Sequence, residues 1–283
     1  MEKIKIFAFA DEADNTLDGQ IDAMLENRLN GVELRNVDSE NVSDISPLKA
    51  KEIKSRLDDA GLLVWALGSP LGKIGIEDGD FISETEKLKR TLETAHLLGT
   101  DKIRIFSFYI PEHGNPADYT EAVIERLSIF CELSKKEDVL LCHENEKGIY
   151  GSSPENCLRL LTALPDLGCV FDPANFIQCG CDTLNAYNML ESHIDYLHIK
   201  DCDKNGDIVL PGEGIGNLSE IISRYLSSVG RAVTVEPHLK IFEGFSNLER
   251  ENEKSVFKET AIFKDNRSAF SAACAALRKI LDT

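Results

Sequence analysis

Four residues that can bind a divalent cation each stand where a short apolar, strand-like segment ends. They are Glu144, Asp172, His198 and Glu236. In barrels of alternating strands and helices, the carboxyl ends of the strands carry the active site. Three carboxylates and one imidazole form a mostly oxygen ligand set, which suits Mn²⁺ or Mg²⁺ better than a closed structural zinc site. The sequence therefore predicts one divalent metal, Mn²⁺ or Mg²⁺, with zinc less favoured.

A metal in such a site has a definite chemistry. It can bind two oxygens of a hydroxy-ketone, polarise the carbonyl and stabilise the enediolate that forms when a neighbouring C–H group loses its proton. Two carboxylates on opposite sides of that carbon could remove and return the proton. The ligand set thus predicts proton transfer next to a carbonyl.

Strand alternation tests the proposed ligands, because residues two apart share a face. If His198 points into the barrel, Tyr196 and Lys200 do so too. With Glu144 inward, its neighbour His143 turns outward, so we interpret His143 as structural. The same rule brings His238 toward the mouth, two residues beyond Glu236.

The apolar pattern alternates between short β-branched runs and longer stretches of helical period, which predicts a parallel sheet. Eight strands are predicted, at 4–10, 31–34, 62–67, 102–106, 139–144, 167–172, 194–200 and 231–236. Helices are predicted at 17–27, 47–60, 84–98, 116–137, 154–164, 183–190, 218–228 and 268–281. Ser46-Pro47 and Ser153-Pro154 each place a capping residue before a proline at the first helical position.

Eight such units in 283 residues predict one α/β domain over 1–283, a single (β/α)8 TIM barrel. An open doubly wound sheet would need a glycine-rich turn after the first strand, where this chain has Ala10-Asp11-Glu12-Ala13-Asp14. We expect Asp11 and Glu12 to line the barrel mouth. A long segment, 237–265, follows the eighth strand and could be a functional lid, a partner contact or a plain surface insertion.

Composition limits the partners and the compartment. The chain has 49 acidic and 31 basic residues, a net charge of −18, which argues against nucleic acid and against an anionic membrane. Its apolar runs fall short of the roughly 18 residues that span a bilayer, and its start leads into a strand rather than a signal peptide. Eight cysteines, Cys179 and Cys181 among them, are expected to be free thiols in a cytoplasmic protein. Monomer and homo-oligomer both remain open.

Several motifs together resemble the sugar phosphate isomerase/epimerase family, the xylose isomerase-like TIM barrels. These motifs are 9–12, Phe-Ala-Asp-Glu; 31–35, Gly-Val-Glu-Leu-Arg; 143–145, His-Glu-Asn; 171–175, Phe-Asp-Pro-Ala-Asn; 197–201, Leu-His-Ile-Lys-Asp; 211–214, Pro-Gly-Glu-Gly; and 235–238, Val-Glu-Pro-His. The likeness covers nearly the whole chain. It implies a metal-dependent isomerase or epimerase of a small sugar, polyol or keto-sugar.

By this resemblance the same four residues bind the metal, and Glu144 and Glu236 also form the acid/base pair. Lys200 and the loop glycines would contact substrate oxygens, and Glu33 would lie at the rim of the pocket. The full set of residues predicted to contact substrate is Glu33, Asn175, Lys200, Lys204, Glu213 and His238.

The chain also departs from the ketose 3-epimerases that the family contains. Those enzymes carry histidine, arginine and glutamate where this chain has Asn175, Lys204 and Tyr150. The departures weaken a free-ketose 3-epimerase and leave open an inosose dehydratase-like lyase or a hydroxypyruvate isomerase-like enzyme. Two further alternatives are a non-catalytic sugar-binding or accessory barrel, and an endonuclease IV-like phosphodiesterase, for which six histidines and an acidic chain are poorly suited.

Overall fold

The computed structural model describes residues 4–228, 230–242 and 263–282, and its centre is a closed barrel of eight parallel strands. Each strand pairs with its neighbours in the chain, and the first strand pairs with both the second and the eighth. In order, the strands are Lys5–Ala8, Gly31–Leu34, Leu63–Gly68, Lys102–Ile105, Leu140–Glu144, Leu167–Phe171, Ile194–Ile199 and Ala232–Val235. The predicted (β/α)8 barrel is confirmed.

Helices cover the outside of this barrel. They are Leu17–Glu26, Pro47–Asp59, Phe81–Leu98, Thr120–Lys135, Pro154–Ala163, Pro173–Gln178, Thr183–Leu190, Leu218–Ser227 and Asn266–Leu281. The predicted caps are present, because the hydroxyls of Ser46 and Ser153 accept hydrogen bonds from the third residue of each helix. None of the helices in the described ranges has the length and hydropathy of a membrane-spanning segment.

Two helix predictions before the fifth strand were wrong at their starts. The helix predicted from residue 84 begins at Phe81, because the carboxylate of Asp80 caps it by accepting from the amide of Ser83. The helix predicted over 116–137 is divided into a 3-10 turn, Pro116–Tyr119, and the α-helix Thr120–Lys135.

Strand ends at the mouth also differ from the predictions by one or two residues. The first strand stops at Ala8, and the chain turns through the 3-10 segment Ala10–Glu12. The sixth stops at Phe171 because Asp172 becomes the N-cap of Pro173–Gln178, a helix that was not predicted. Strand pairing thus ends where polar side chains turn toward the centre of the mouth.

Alternating faces separate two layers of apolar packing. Ala66, Cys142, Val170 and Tyr196 fill the barrel interior, whereas Leu197 and Ile199 belong to the layer under the helices. His143 lies on the outer side as predicted, with Nε2 2.9 Å from the hydroxyl of Ser107. Burial lowers the pKa of His143 to about 4. All eight cysteines are free, as expected.

The segment after the eighth strand is described only at its two ends. Leu239 and Phe242 are buried against the barrel mouth. Residues 243–262 of the predicted excursion 237–265 lie outside the described ranges. The last helix begins behind the cap residue Asp265, at Asn266 rather than at the predicted 268.

Candidate metal centre

The four residues predicted to bind metal meet at the carboxyl ends of four adjacent strands. Glu144 ends the fifth strand, Asp172 follows the sixth, His198 lies in the seventh and Glu236 follows the eighth. One ligand atom from each lies within 4.8 Å of the others, and all four side chains are buried. Strand neighbours bring them together because parallel strands present their carboxyl ends at the same edge of the barrel. We call these four residues the ligand cluster.

His198 is at the centre of the ligand cluster. Its Nδ1 lies 3.1 Å from Oε1 of Glu144 and 3.5 Å from Oε2 of Glu236. Its Nε2 lies 3.1 Å from Oε2 of Glu33, whose other oxygen accepts a 2.9 Å hydrogen bond from the hydroxyl of Tyr196. Although burial alone would lower the pKa of His198, the carboxylates of Glu144 and Glu33 raise it well above its usual value. The surroundings therefore favour positive charge at this point.

Glu33 is not at the rim of the pocket, where it was expected. Its side chain is fully buried, and it contacts the ring nitrogen of His198 that points away from the cluster. Metal-binding histidines commonly donate their second N–H to a carboxylate, which fixes the tautomer and the orientation of the ring. Glu33 lies where a carboxylate could orient His198 in this way.

Asp172 supplies the test of whether a cation fits. Its Oδ1 accepts from the amide of Asn175, whereas its buried Oδ2 has no hydrogen bond and lies 3.0 Å from Nζ of Lys200. Burial, reinforced by the carboxylates of Glu236 and Glu144, raises the pKa of Asp172 to about 7. A buried oxygen without a hydrogen bond, facing two further carboxylates, fits a divalent cation in chemistry and in charge.

Glu144 is held by three side chains. Oε1 contacts His198 and also accepts a 3.2 Å hydrogen bond from the side-chain amide of Asn175. Oε2 lies 3.1 Å from Nε of Arg104. Burial would raise the pKa of Glu144, but His198 and Arg104 lower it to about 2. Asn175, which was predicted to contact substrate, lies against Glu144.

Glu236 is held in a similar way, and its Oε2 approaches the same nitrogen of His198 as Glu144 does. Oε2 lies 3.1 Å from Nζ of Lys200, and Oε1 lies 3.1 Å from Arg35 and 3.3 Å from Nε2 of His238. Burial would raise the pKa of Glu236, but Lys200 and His238 lower it well below the usual value. Lys200 and His238, both predicted to contact substrate, thus lie against Glu236 of the cluster.

A second group of residues also has atoms close enough for a metal, namely Glu12, Glu236 and His238. This group shares Glu236 with the ligand cluster, and both of its carboxylates pair with one guanidinium. Arg35 is buried, donates to both oxygens of Asp11, and forms ion pairs with Glu12 and Glu236. We therefore do not assign a metal to this group.

Two predicted substrate contacts are not brought to the cluster. Lys204 is exposed on the turn of a small hairpin, between Asp201–Cys202 and Ile208–Val209, and no hydrogen bond or ion pair joins it to the cluster. Glu213 is exposed on the following loop. Neither prediction took account of the hairpin, whose turn places Lys204 away from the end of the strand.

The glycines of that loop were expected to contact substrate oxygens, and the structure gives their amides a partner within the protein. The amides of Gly212, Gly214 and Gly216 all donate to the carboxylate of Asp201, at distances of 2.9 to 3.1 Å. A Cβ atom at Gly214 would lie 2.3 Å from Oδ1 of Asp201, so glycine is required there. The loop is wrapped around an internal carboxylate, and these amides are already used.

Sequence reasoning missed three polar residues of the site. Arg35 and Arg104 bind the second oxygens of Glu236 and Glu144, and Asn145 exchanges two hydrogen bonds with the backbone of Asp172. A signal did exist, since an arginine at the end of an apolar strand must be paired if it is buried. The partner could not be identified without the closed barrel.

Comparison with known proteins agrees with this geometry. The family described as xylose isomerase-like TIM barrel matches residues 21–238. No curated protein matches the chain. Solved structures resemble it at low identity, so the likeness shows the fold alone.

One of these structures is the probable 3-DHS dehydratase AsbF from Bacillus anthracis, with 18% identity over 98% of this chain and 99% of that chain, and a TM-score of 0.72. D-psicose 3-epimerase with D-tagatose, from Clostridium cellulolyticum H10, has 13% identity, 99% coverage of both chains and a TM-score of 0.74. The IOLI protein with a binding zinc atom has 15% identity over 99% of this chain and 98% of that chain, and a TM-score of 0.74.

Proposed function

Because the chain belongs to the xylose isomerase-like TIM barrel family, we propose that it is a metal-dependent isomerase or epimerase of a small sugar, polyol or keto-sugar. The observation that carries the proposal is the ligand cluster, three buried carboxylates and one imidazole whose ligand atoms lie within 4.8 Å of one another. The family and several solved neighbours are sugar-processing barrels, which supports a small carbohydrate as substrate.

Glu144, Asp172, His198 and Glu236 are the proposed metal ligands. When bound, a divalent ion would polarise the substrate carbonyl and lower the free energy of the enediolate. The mostly oxygen set favours Mn²⁺ or Mg²⁺, although one neighbour is described with zinc, so all three ions belong in the test. Eight free thiols agree with a reducing compartment, which supports the cytoplasm as the proposed location.

The proton is moved by this chain's own carboxylates. Glu144 and Glu236 each bring one oxygen toward Nδ1 of His198, at 3.1 and 3.5 Å, so both carboxylates would lie beside a substrate bound at the cluster. One removes the proton and the other returns it, to the adjacent carbon in an isomerase or to the opposite face in an epimerase. Lys200, whose ammonium lies between Asp172 and Glu236, would orient a substrate oxygen.

Solvent exchange measured by NMR tests this proposal. The protein, loaded in turn with Mn²⁺, Mg²⁺ or Zn²⁺, is incubated in deuterium oxide with a panel of ketoses, aldoses and keto-polyols. We expect loss of one C–H signal next to the carbonyl with at least one metal, and none in Glu144→Gln or Glu236→Gln. A metal-loaded protein that exchanges no proton across the panel would contradict the proposal.

A lyase is the second candidate, favoured by a specific observation. Asn175 contacts Glu144 at the position where the ketose 3-epimerases of the family carry a histidine, and a probable dehydratase is among the solved neighbours. The same enediolate can expel a hydroxyl group instead of taking back a proton. Mass spectrometry of the reaction distinguishes the two, because the lyase product lacks one water and the isomerase product keeps the mass of the substrate.

A further inference from the structure

Aromatic rings and cations alternate along one side of the barrel mouth. The guanidinium of Arg35 lies 4.8 Å from the ring of Phe242 and 4.3 Å from the ring of Phe9. The guanidinium of Arg104 lies 5.5 Å from the same ring of Phe9 and 4.5 Å from the ring of Phe106. Because planar guanidinium groups stack well on aromatic faces, the row fixes the planes of both arginines. We call Arg35, Arg104, Phe9, Phe106 and Phe242, together with Lys73, the cation–aromatic row.

The row continues past Arg104 and is tightly packed. Nζ of Lys73 lies 4.3 Å from the ring of Phe106 and forms a 3.4 Å ion pair with Glu146. A Cβ atom at Gly68 would lie 2.5 Å from the ring of Phe9 and 3.2 Å from Arg104, so this glycine makes room for the row. Neither arginine can shift without moving an aromatic neighbour.

Each arginine binds one oxygen of one proposed acid/base carboxylate. Arg104 is 3.1 Å from Oε2 of Glu144, and Arg35 is 3.1 Å from Oε1 of Glu236. The remaining oxygens, Oε1 of Glu144 and Oε2 of Glu236, are the two that approach Nδ1 of His198. The two carboxylates therefore have the same arrangement, with one oxygen held by an arginine and one oxygen facing the cluster.

We propose that Arg35 and Arg104 are positioning residues that set the metal selectivity of the site. By holding one oxygen of Glu236 and one of Glu144, they leave a single oxygen of each for a cation. Ca²⁺ takes six to eight oxygen ligands and often binds both oxygens of a carboxylate, whereas smaller ions such as Mg²⁺ require about six ligands at short distances. One oxygen per carboxylate disfavours Ca²⁺. This inference rests on the proposed metal-dependent function.

The experiment measures the dissociation constants of Mn²⁺ and Ca²⁺ for the unmodified protein, Arg35→Lys, Arg104→Lys and a control. Lysine keeps the charge but loses the planar fork that fixes a carboxylate. The matched control is Arg224→Lys, since Arg224 also stacks on an aromatic ring, Tyr187, and pairs with a carboxylate, Glu191, but lies on an outer helix. Electron paramagnetic resonance reports free and bound Mn²⁺, and calorimetry with competition gives Ca²⁺.

We expect each mouth variant to bind Mn²⁺ about tenfold more weakly, the lower end of the range for residues that support metal ligands. The ratio of Mn²⁺ to Ca²⁺ affinity should fall about tenfold, and Arg224→Lys should change neither quantity. An unchanged ratio in both mouth variants, with Mn²⁺ bound normally by the unmodified protein, would overturn this inference alone. An unmodified protein that binds no divalent ion would instead overturn the proposed function.

Phe9→Leu provides an independent variant if a lysine substitution prevents folding. It removes the ring between the two guanidinium groups and leaves both ion pairs intact. The same decrease in the Mn²⁺ to Ca²⁺ ratio, smaller in size, supports the inference, and an unchanged ratio counts against it. A merely structural role would lower the melting temperature without moving the ratio.

Discussion

The two halves of the barrel contribute differently to the mouth. Strands five to eight supply the ligand cluster, three carboxylates and one imidazole. Strands one to four supply the groups that hold it, chiefly Glu33 on His198, Arg35 on Glu236 and Arg104 on Glu144. The first half thus supplies supporting groups only, whereas the second half supplies the candidate ligands and further supporting groups such as Lys200 and Asn175.

This difference shows what closure of the barrel does for the site. The supporting contacts join residues that are far apart in sequence, such as Arg35 with Glu236 and Glu33 with His198. The contacts of Arg35 and Glu33 exist because the sheet closes and brings its two halves face to face, whereas Arg104 reaches Glu144 from the neighbouring strand. An open sheet with the same strands could align the four ligands, but it could not support them from the opposite wall.

The largest expected effect is in the second half. Asp172→Asn removes one negative charge and one ligand oxygen, so we expect Mn²⁺ affinity to fall by more than about a hundredfold, beyond the range for supporting residues. Calorimetric titration measures this change. The control is Asn145→Ala, which touches only the backbone of Asp172 and should cost less than Asp172→Asn. Equal losses would mean that the carboxylate itself is not a ligand.

A smaller loss is expected when the supporting half is altered. Glu33→Gln keeps the size of the side chain but removes the charge that faces Nε2 of His198, so Mn²⁺ affinity should fall roughly 10- to 100-fold. Tyr196→Phe is the matched control, because it removes only the hydrogen bond to the other oxygen of Glu33. If the two variants bind Mn²⁺ equally well, the charge of Glu33 does not support His198.

A third prediction concerns the outer face of the fifth strand. Burial holds the pKa of His143 at about 4 in the folded protein, against about 6.5 when unfolded. Between about pH 4 and pH 6.5 the unfolded chain therefore binds more protons than the folded chain. The contribution of His143 to the free energy of unfolding is fully present above about pH 6.5 and is lost as the pH falls toward 4. Between pH 7 and pH 5 the loss from this residue is about 2 kcal/mol.

Chemical denaturation at the two pH values measures that loss. In His143→Phe the difference between pH 7 and pH 5 should shrink by about the same 2 kcal/mol. His113, an exposed histidine, gives the control variant His113→Phe, which should keep the full difference. A pH dependence that is unchanged in His143→Phe would show that this histidine is protonated without cost in the folded state.

The smallest effects are expected at the exposed positions. Lys204→Ala and Glu213→Gln lie on the hairpin turn and the loop, outside the ligand cluster. Metal affinity should stay within about twofold in both, since surface changes usually stay within ±0.5 kcal/mol. A larger decrease in metal affinity would mean that the loop closes on the cluster and that the exposed position is not the working one.

The sequence was sufficient to predict the barrel and the strand ends at which the four candidate ligands meet, because both depend on local patterns. Period-two apolar runs locate strands, and a polar residue that ends such a run points to the carboxyl edge. Tyr196, Leu197 and His198 took the faces that alternation predicted. Bounds at the mouth were less accurate, because Asp172 is both a cluster member and a helix cap.

The supporting contacts could not be predicted, for a physical reason. Arg35, Arg104 and Glu33 lie in strand patterns that are compatible with many partners. Which residue each one contacts depends on distances between the strands of the closed barrel. Lys204 was misplaced for the opposite reason, since a count of six residues beyond His198 takes no account of the hairpin at Asp201–Cys202. Spacing along the chain locates residues on a strand but not after a turn.

The carboxylate of Asp201 has a consequence for how this protein could diversify. Because it gathers three backbone amides of the 212–216 loop, the course of that loop is fixed from inside and does not depend on the outward side chains of Glu213 and Ile215. The residues at these two positions can be substituted freely, because the backbone of the loop stays in place. A library of variants at these two positions would change the surface at the entrance of the barrel without changing the buried residues beneath the loop.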